Sequence, residues 1–240
     1  MRPLFLAPTQ PQTLTNQLDL HRHPPSPQRR KPKPHRQRRS KVRPPITPLN
    51  FVAVFLELIW AFIGLLLTIG GTFIEVAMTA PPWNWSQEGV LVHPLRVTCQ
   101  VGAVLLVGCM GGKNAGALSQ IAYITLGLTW LPVFTFGGGL DYVFEPSFGY
   151  ILGFVPGAWV CGALAFKYKP RLEFLALSCF CGLITIHLVG LTYLAFISSF
   201  NQELIMAGLW KYSLNPLPGQ LVLVCAVTAI AKFLRTLMCY

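Results

Sequence analysis

Residues 111–157 read GGKNAGALSQIAYITLGLTWLPVFTFGGGLDYVFEPSFGYILGFVPG. Two apolar runs, 115–134 and 148–166, flank a turn that holds Gly137, Gly138, Gly139, Asp141, Tyr142, Glu145 and Pro146. Each run is about 20 residues long, which at roughly 1.5 Å per residue spans the roughly 30 Å of hydrocarbon in a bilayer. A turn between two such spans must emerge into water or be buried in protein, because unpaired backbone N–H and C=O groups are too costly in lipid. Three consecutive glycines let that backbone take positive φ and come close to a ligand. The turn is therefore the first place to expect a binding site, with a plain flexible connector as the alternative its local residues leave open.

Outside this stretch the composition points the same way. Apolar residues make up 53% of the 240 and charged ones 11%, far from the globular norm and close to membrane-embedded chains. The charge is lopsided: residues 1–48 hold 11 Lys/Arg against one acid, Asp19, and the remainder holds 8 against 7. The net charge of +11 is thus a property of the tail. With many prolines and no apolar periodicity, residues 1–48 are expected to be disordered. Their cluster QRRKPKPHRQRRSKVR (28–43) has no aromatics for base stacking, so no nucleic acid is expected as a partner. It reads as a juxtamembrane basic segment at the cytoplasmic leaflet, or as a transit-like extension.

Six apolar spans are expected, at 51–71, 96–110, 115–134, 148–166, 172–197 and 218–237. The fold class is therefore an all-α integral membrane protein, with 1–48 as tail and 49–240 as membrane domain, in contact with lipid on its outer faces. Nearly all Lys/Arg fall in the tail, the turn with Lys113, the turn with Lys167, Lys169 and Arg171, and the C-terminus. The positive-inside rule then puts both termini in the cytoplasm and the glycine turn outside. Glu57, two turns into the first span, reads as reaching back to the basic tail or as a contact for a partner subunit.

Gly116, Gln120, Tyr123 and Gly127 make one small, polar stripe on the third span, which marks a cavity or an interhelical hydrogen bond. Gly149, Gly153 and Gly157 form overlapping GxxxG steps, a device for close helix packing. At the outer ends Arg96 and Gln100 open span two one turn apart, Tyr150 opens span four and Gln220 opens span six. With Asp141 they are expected to line a shallow pocket under the glycine turn. His187 is expected as a hydrogen-bonded interior residue rather than a ligand. The seven cysteines, including Cys179 and Cys181 two apart, read as buried thiols without a disulfide framework or metal site. No nucleophile–base set, metalloprotease motif or phosphate loop occurs, so neither catalysis nor a cofactor is expected.

Taken in order, TxQ (98–100), VLLxG (104–108), GALS (116–119), Tyr123, Gly127, LPVF (131–134), the GGG turn, EPSFGYILGF (145–154) and PGQL (218–221) strongly resemble the BioY family. These are the biotin-specific substrate-binding S components of energy-coupling factor (ECF) transporters. The resemblance implies a six-helix protein of the plasma membrane that captures biotin on its outer side and delivers it inward. It also implies partners, an ECF coupling subunit and two ATPase subunits, although some members work alone. An S component for another vitamin or a biotin precursor is the alternative reading.

Two features depart from the family pattern. Arg96 stands where a Pro usually precedes TxQ, and the usual PGDLxK is PGQLVL, with Gln220 for the acid and Leu223 for the lysine. An AxxxA face often serves docking in span one; here Ala53, Glu57 and Ala61 occupy it. If the ligand is biotin, its neutral ureido ring matches the amides of Gln100 and Gln220. Its four-methylene chain gains roughly 3 kcal/mol on burial at about 0.8 kcal/mol per CH₂, against Phe134, Phe136 and Tyr150. Arg96 is the cation expected for its carboxylate.

Overall fold

The structure, a computed structural model, describes residues 48–79, 92–169 and 171–238. The expected disordered tail up to residue 47 lies outside the described residues. Helix α1 (Pro48–Phe73) is followed by an antiparallel hairpin of β1 (Glu75–Thr79) and β2 (Val92–Thr98). Then come α2 (Gln100–Thr129), a 3₁₀ turn (Leu140–Phe144), α3 (Phe148–Ala165), α4 (Leu172–Ile197), α5 (Gln202–Leu209), a π turn (Trp210–Leu214) and α6 (Leu217–Leu237). Among the described residues five helical stretches are long and apolar enough to cross a membrane, the last running through Gln202–Leu237.

The expected second and third spans both fall within α2, which is not one straight rod. Gly112 leaves the helical region (φ 81°, ψ −178°). A Cβ on Gly116 would lie 3.3 Å from the Cα of Gly108, whereas eight residues of straight helix rise about 12 Å. The chain doubles back at Gly112, a conformation open to glycine because it lacks a Cβ. The two arms of α2 then lie side by side, at residues 100–111 and 113–129.

Helix α1 leaves most of its surface outward, with Phe51, Phe55 and Phe62 exposed, as a helix in lipid requires. Its inward stripe is small: Ala61, Gly64, Thr68 and Thr72 are buried, and a Cβ on Gly64 would come within 2.7 Å of Val107 and 2.9 Å of Ser119. Thr68 and Thr72 send their hydroxyls back to the carbonyls of Gly64 and Thr68 at 2.8 and 2.9 Å, so neither is left unpaired. Ala61 is thus spent on the chain's own packing. Glu57 accepts from the Asn114 amide at 3.1 Å, a partner beside the Gly112 reversal; an approach to the tail lies outside the described residues.

The glycine stripe of α3 does pack closely. A Cβ on Gly153 would sit 2.7 Å from the Ile186 carbonyl oxygen, so α3 and α4 touch backbone to backbone. Lys113 and Lys167 line one shallow depression at the end marked by the Gly112 reversal. Near that end the buried Arg235 donates to the Ala165 carbonyl at 2.9 Å, where the C-terminus of α3 favours a cation.

Two expectations are corrected. The described residues are mostly helical but not purely so, because residues 92–98 are extended rather than the start of a span. Pro94 lacks an N–H and is accommodated at the edge of a two-stranded ladder, while Val92, Val97 and Thr98 are β-branched. Arg96 and Gln100 therefore do not share a helix. The third span ends at Thr129 rather than 134, since Pro132 disfavours helical backbone at the residue before it. Residues 202–214, between the fifth and sixth expected spans, are helical, with Asn201 Oδ1 capping α5 by accepting from the N–H groups of Glu203 and Leu204.

Candidate functional site

The end of the bundle away from the Gly112 reversal holds a cavity of about 220 Å³. Gln100 from the first turn of α2, Phe136 from the glycine turn, Tyr150 from α3 and Gln220 from α6 all line it, with Tyr142 and Tyr212. Four residues singled out from the sequence thus meet on one cavity, although they come from separate segments.

The others take supporting or outlying places. Tyr123 is fully buried behind Gln100: its hydroxyl accepts from the Gln100 amide nitrogen at 2.8 Å and donates to the Val133 carbonyl at 3.0 Å. Thr72 lies 3.3 Å from the same hydroxyl. Gln120 donates to Thr68 at 3.1 Å and Ser119 at 3.0 Å, so the polar stripe makes interhelical bonds. Its carbonyl oxygen has no partner among the described residues. Phe134 is buried, its ring covering Gly127, where a Cβ would come within 2.2 Å of it. Phe134 stacks tilted on Tyr142 at 4.7 Å.

Phe134 and Gly137 exchange backbone bonds of 2.9 and 3.0 Å, closing a tight loop in which Gly137 (φ 117°) and Gly139 (φ 95°) use the left-handed region. Gly138 lies against the Gly127 carbonyl, which a Cβ would approach to 2.7 Å. The glycines shape the loop that carries Phe136, and Asp141 is exposed beside it without lining the cavity. Arg96 lies in β2, next in the chain to the cavity residues Val97 and Thr98; its side chain is outside the described residues.

Tyr142 is 5% exposed. Burial lifts its hydroxyl above the ordinary phenol range, with the Ser147 hydroxyl at 3.3 Å and the Phe136 backbone working the other way.

A second polar chain was not legible beforehand. His187 Nε2 lies 2.7 Å from Gln220 Oε1, its Nδ1 lies 3.0 Å from the Ser213 hydroxyl, and that hydroxyl lies 2.7 Å from the Tyr150 hydroxyl. His187 is hydrogen-bonded inside the bundle, as expected, yet it touches two cavity residues through this chain. Leu223 turns away from the cavity onto Gly102, where a Cβ would meet it at 3.2 Å.

Cys109, Cys161 and Cys179 place three buried sulfurs within 4.8 Å of one another, the one group of this kind among the described residues. Their separations of 3.6 and 3.5 Å from Cys109 suit thiol contacts, and Cys161 also reaches the Leu105 carbonyl at 3.5 Å. Cys181 is only half-buried and Cys225 is exposed.

The apolar helices thus close at one end over a small cavity lined by amides and phenols, an arrangement that suits a membrane solute-binding protein. The model of the BioY family matches residues 53–239, and the chain belongs to that family. It is 35% identical over 147 residues to the probable biotin transporter BioY of Lysinibacillus sphaericus, covering 61% of this chain and 67% of the relative. It is 39% identical over 104 residues to the biotin transporter BioY of Thermotoga maritima, covering 43% and 61%. The crystal structure of the S-component for biotin from an ECF-type ABC transporter matches with a TM-score of 0.55 at 20% identity, over 79% of this chain and 94% of that one, a likeness of fold.

Proposed function

We propose that this chain takes up biotin, binding it in the cavity at the outer face of the plasma membrane and delivering it inward as the S component of an ECF transporter. The observation that carries the reading is the meeting of Gln100, Tyr150 and Gln220 on one cavity in a chain of the BioY family. A ureido ring is neutral, with a carbonyl between two N–H groups, and neutral amides and hydroxyls bind it without burying a charge. Phe136 and Tyr142 offer the apolar wall for the valeryl chain, and Arg96, beside Val97, is the cation for the carboxylate.

With the reversal at Gly112 counted as a membrane turn, the chain crosses six times and both termini lie on the side of Lys113 and Lys167, the cytoplasm by the positive-inside rule. Docking to a coupling subunit with two ATPase subunits belongs to the same reading; α1, outward over most of its surface, is the face for it.

The test is equilibrium binding of labelled biotin to the purified chain in detergent, with unlabelled biotin and riboflavin as competitors. Saturable binding displaced by biotin and untouched by riboflavin is expected. Absence of binding in a folded sample, or displacement by both, refutes the reading.

A further inference from the structure

We infer that His187 is a specificity-determining positioning residue: it fixes which way round the Gln220 amide faces the cavity, and so selects a ligand with an acceptor at Gln220 and a donor at Tyr150. The inference rests on the biotin reading and adds to it the orientation of the polar contacts.

A proton count along one chain of contacts fixes each donor and acceptor. A carbonyl oxygen only accepts, so the 2.7 Å contact between Gln220 Oε1 and His187 Nε2 requires the hydrogen on Nε2. No carboxylate contacts the ring among the described residues: its nitrogens face Ser213 and Gln220, and Tyr150 meets it edge-on at 5.7 Å. A neutral imidazole with its hydrogen on Nε2 has a lone pair on Nδ1, so Ser213 must donate its single proton across the 3.0 Å contact. Ser213 can then only accept from Tyr150 at 2.7 Å, and Tyr150 must be the donor.

Every proton in the chain is then assigned, and both ends open on the cavity. Gln220 has its NH₂ left to give, and Tyr150 has its oxygen left to receive. A ureido carbonyl with its flanking N–H fits that pair. A carboxylate at position 220 accepts only and has nothing to offer a carbonyl, whereas Gln220 can accept from His187 and donate to the ligand at once. Without His187 the amide is free to turn and present its oxygen instead.

The experiment compares biotin with 2-iminobiotin, whose protonated guanidinium puts a donor where biotin has its carbonyl. Binding of each to the full chain in detergent is measured for the wild type, His187→Leu and His187→Gln. The wild type is expected to prefer biotin by roughly 100-fold, the scale of a buried donor left facing a donor. His187→Leu is expected to reduce the preference to a few-fold while biotin still binds, and His187→Gln, with an amide N–H in place of Nε2–H, to keep most of it. Equal wild-type binding of the two ligands overturns the inference whether or not the variants fold. So does an undiminished preference in His187→Leu, or its loss in His187→Gln. A folded wild type that binds neither ligand refutes the biotin reading itself.

Discussion

The amide nitrogen of Gln100 donates to the hydroxyl of Tyr123 at 2.8 Å although 23 positions separate them. On a straight helix that separation is about 35 Å, so this bond is a direct consequence of the reversal at Gly112. It also orients the Gln100 amide: with one N–H held by Tyr123, the carbonyl oxygen is left to accept and the second N–H to donate.

Tyr123→Phe should release that amide without emptying the core, because only the hydroxyl is lost. Biotin affinity is expected to fall about 5- to 10-fold, near the net worth of one hydrogen bond. Isothermal titration in detergent would read the loss, and an unchanged affinity would remove Tyr123 from the binding arrangement.

Arg96→Ala tests the carboxylate contact. Biotin should bind roughly tenfold or more weakly, as when a charge-assisted bond is removed, while biotin methyl ester, already uncharged, should lose far less. Equal losses for acid and ester would assign Arg96 a structural part in β2 instead.

Gly153→Leu should separate α3 from α4, since even a Cβ there meets the Ile186 carbonyl at 2.7 Å and backbone cannot step aside as a side chain can. Overpacking of this kind destabilises by about 1–3 kcal/mol or more, visible as a lowered melting temperature in detergent. A melting temperature equal to wild type would contradict the close contact.

These contacts mark what was legible in the sequence and what was not. Hydropathy and loop charge gave the spans, because lipid demands long apolar runs, and α3 at Phe148–Ala165 and α4 at Leu172–Ile197 end within a residue of their expected limits. Gln100, Phe136, Tyr150 and Gln220 were legible as polar or aromatic residues at span ends. The hairpin of β1 and β2 was not, because Val92, Leu95 and Val97 are as apolar as a helix start and a strand so short leaves no clear alternation. The chain from Tyr150 to Gln220 was hidden for another reason. Ser213 lies in a π turn with no periodic signal, and it meets His187 only through tertiary packing 26 positions away.

The buried Tyr142 hydroxyl gives a pH signature. Its value is raised by burial, so its contribution to stability is complete below the ordinary phenol value of about 10 and is lost as pH rises through the higher folded value. Tyr142→Phe should flatten that part of the profile: denaturation curves of variant and wild type should run parallel up to about pH 10 and diverge above it. Parallel curves throughout would mean that Tyr142 ionises freely in the folded protein.

The short first arm of α2 also sets a distance. From Gln100 to Gly111 it rises about 17 Å, well under the roughly 30 Å of a hydrocarbon layer, and the extended strand β2 leads the chain to it. In the proposed orientation, a molecule resting on Gln100 would lie below the outer headgroups before anything moves. On that reading, what would remain of its passage is little more than half the thickness of the layer, a shorter journey than a rigid full-depth pore would have to line from end to end.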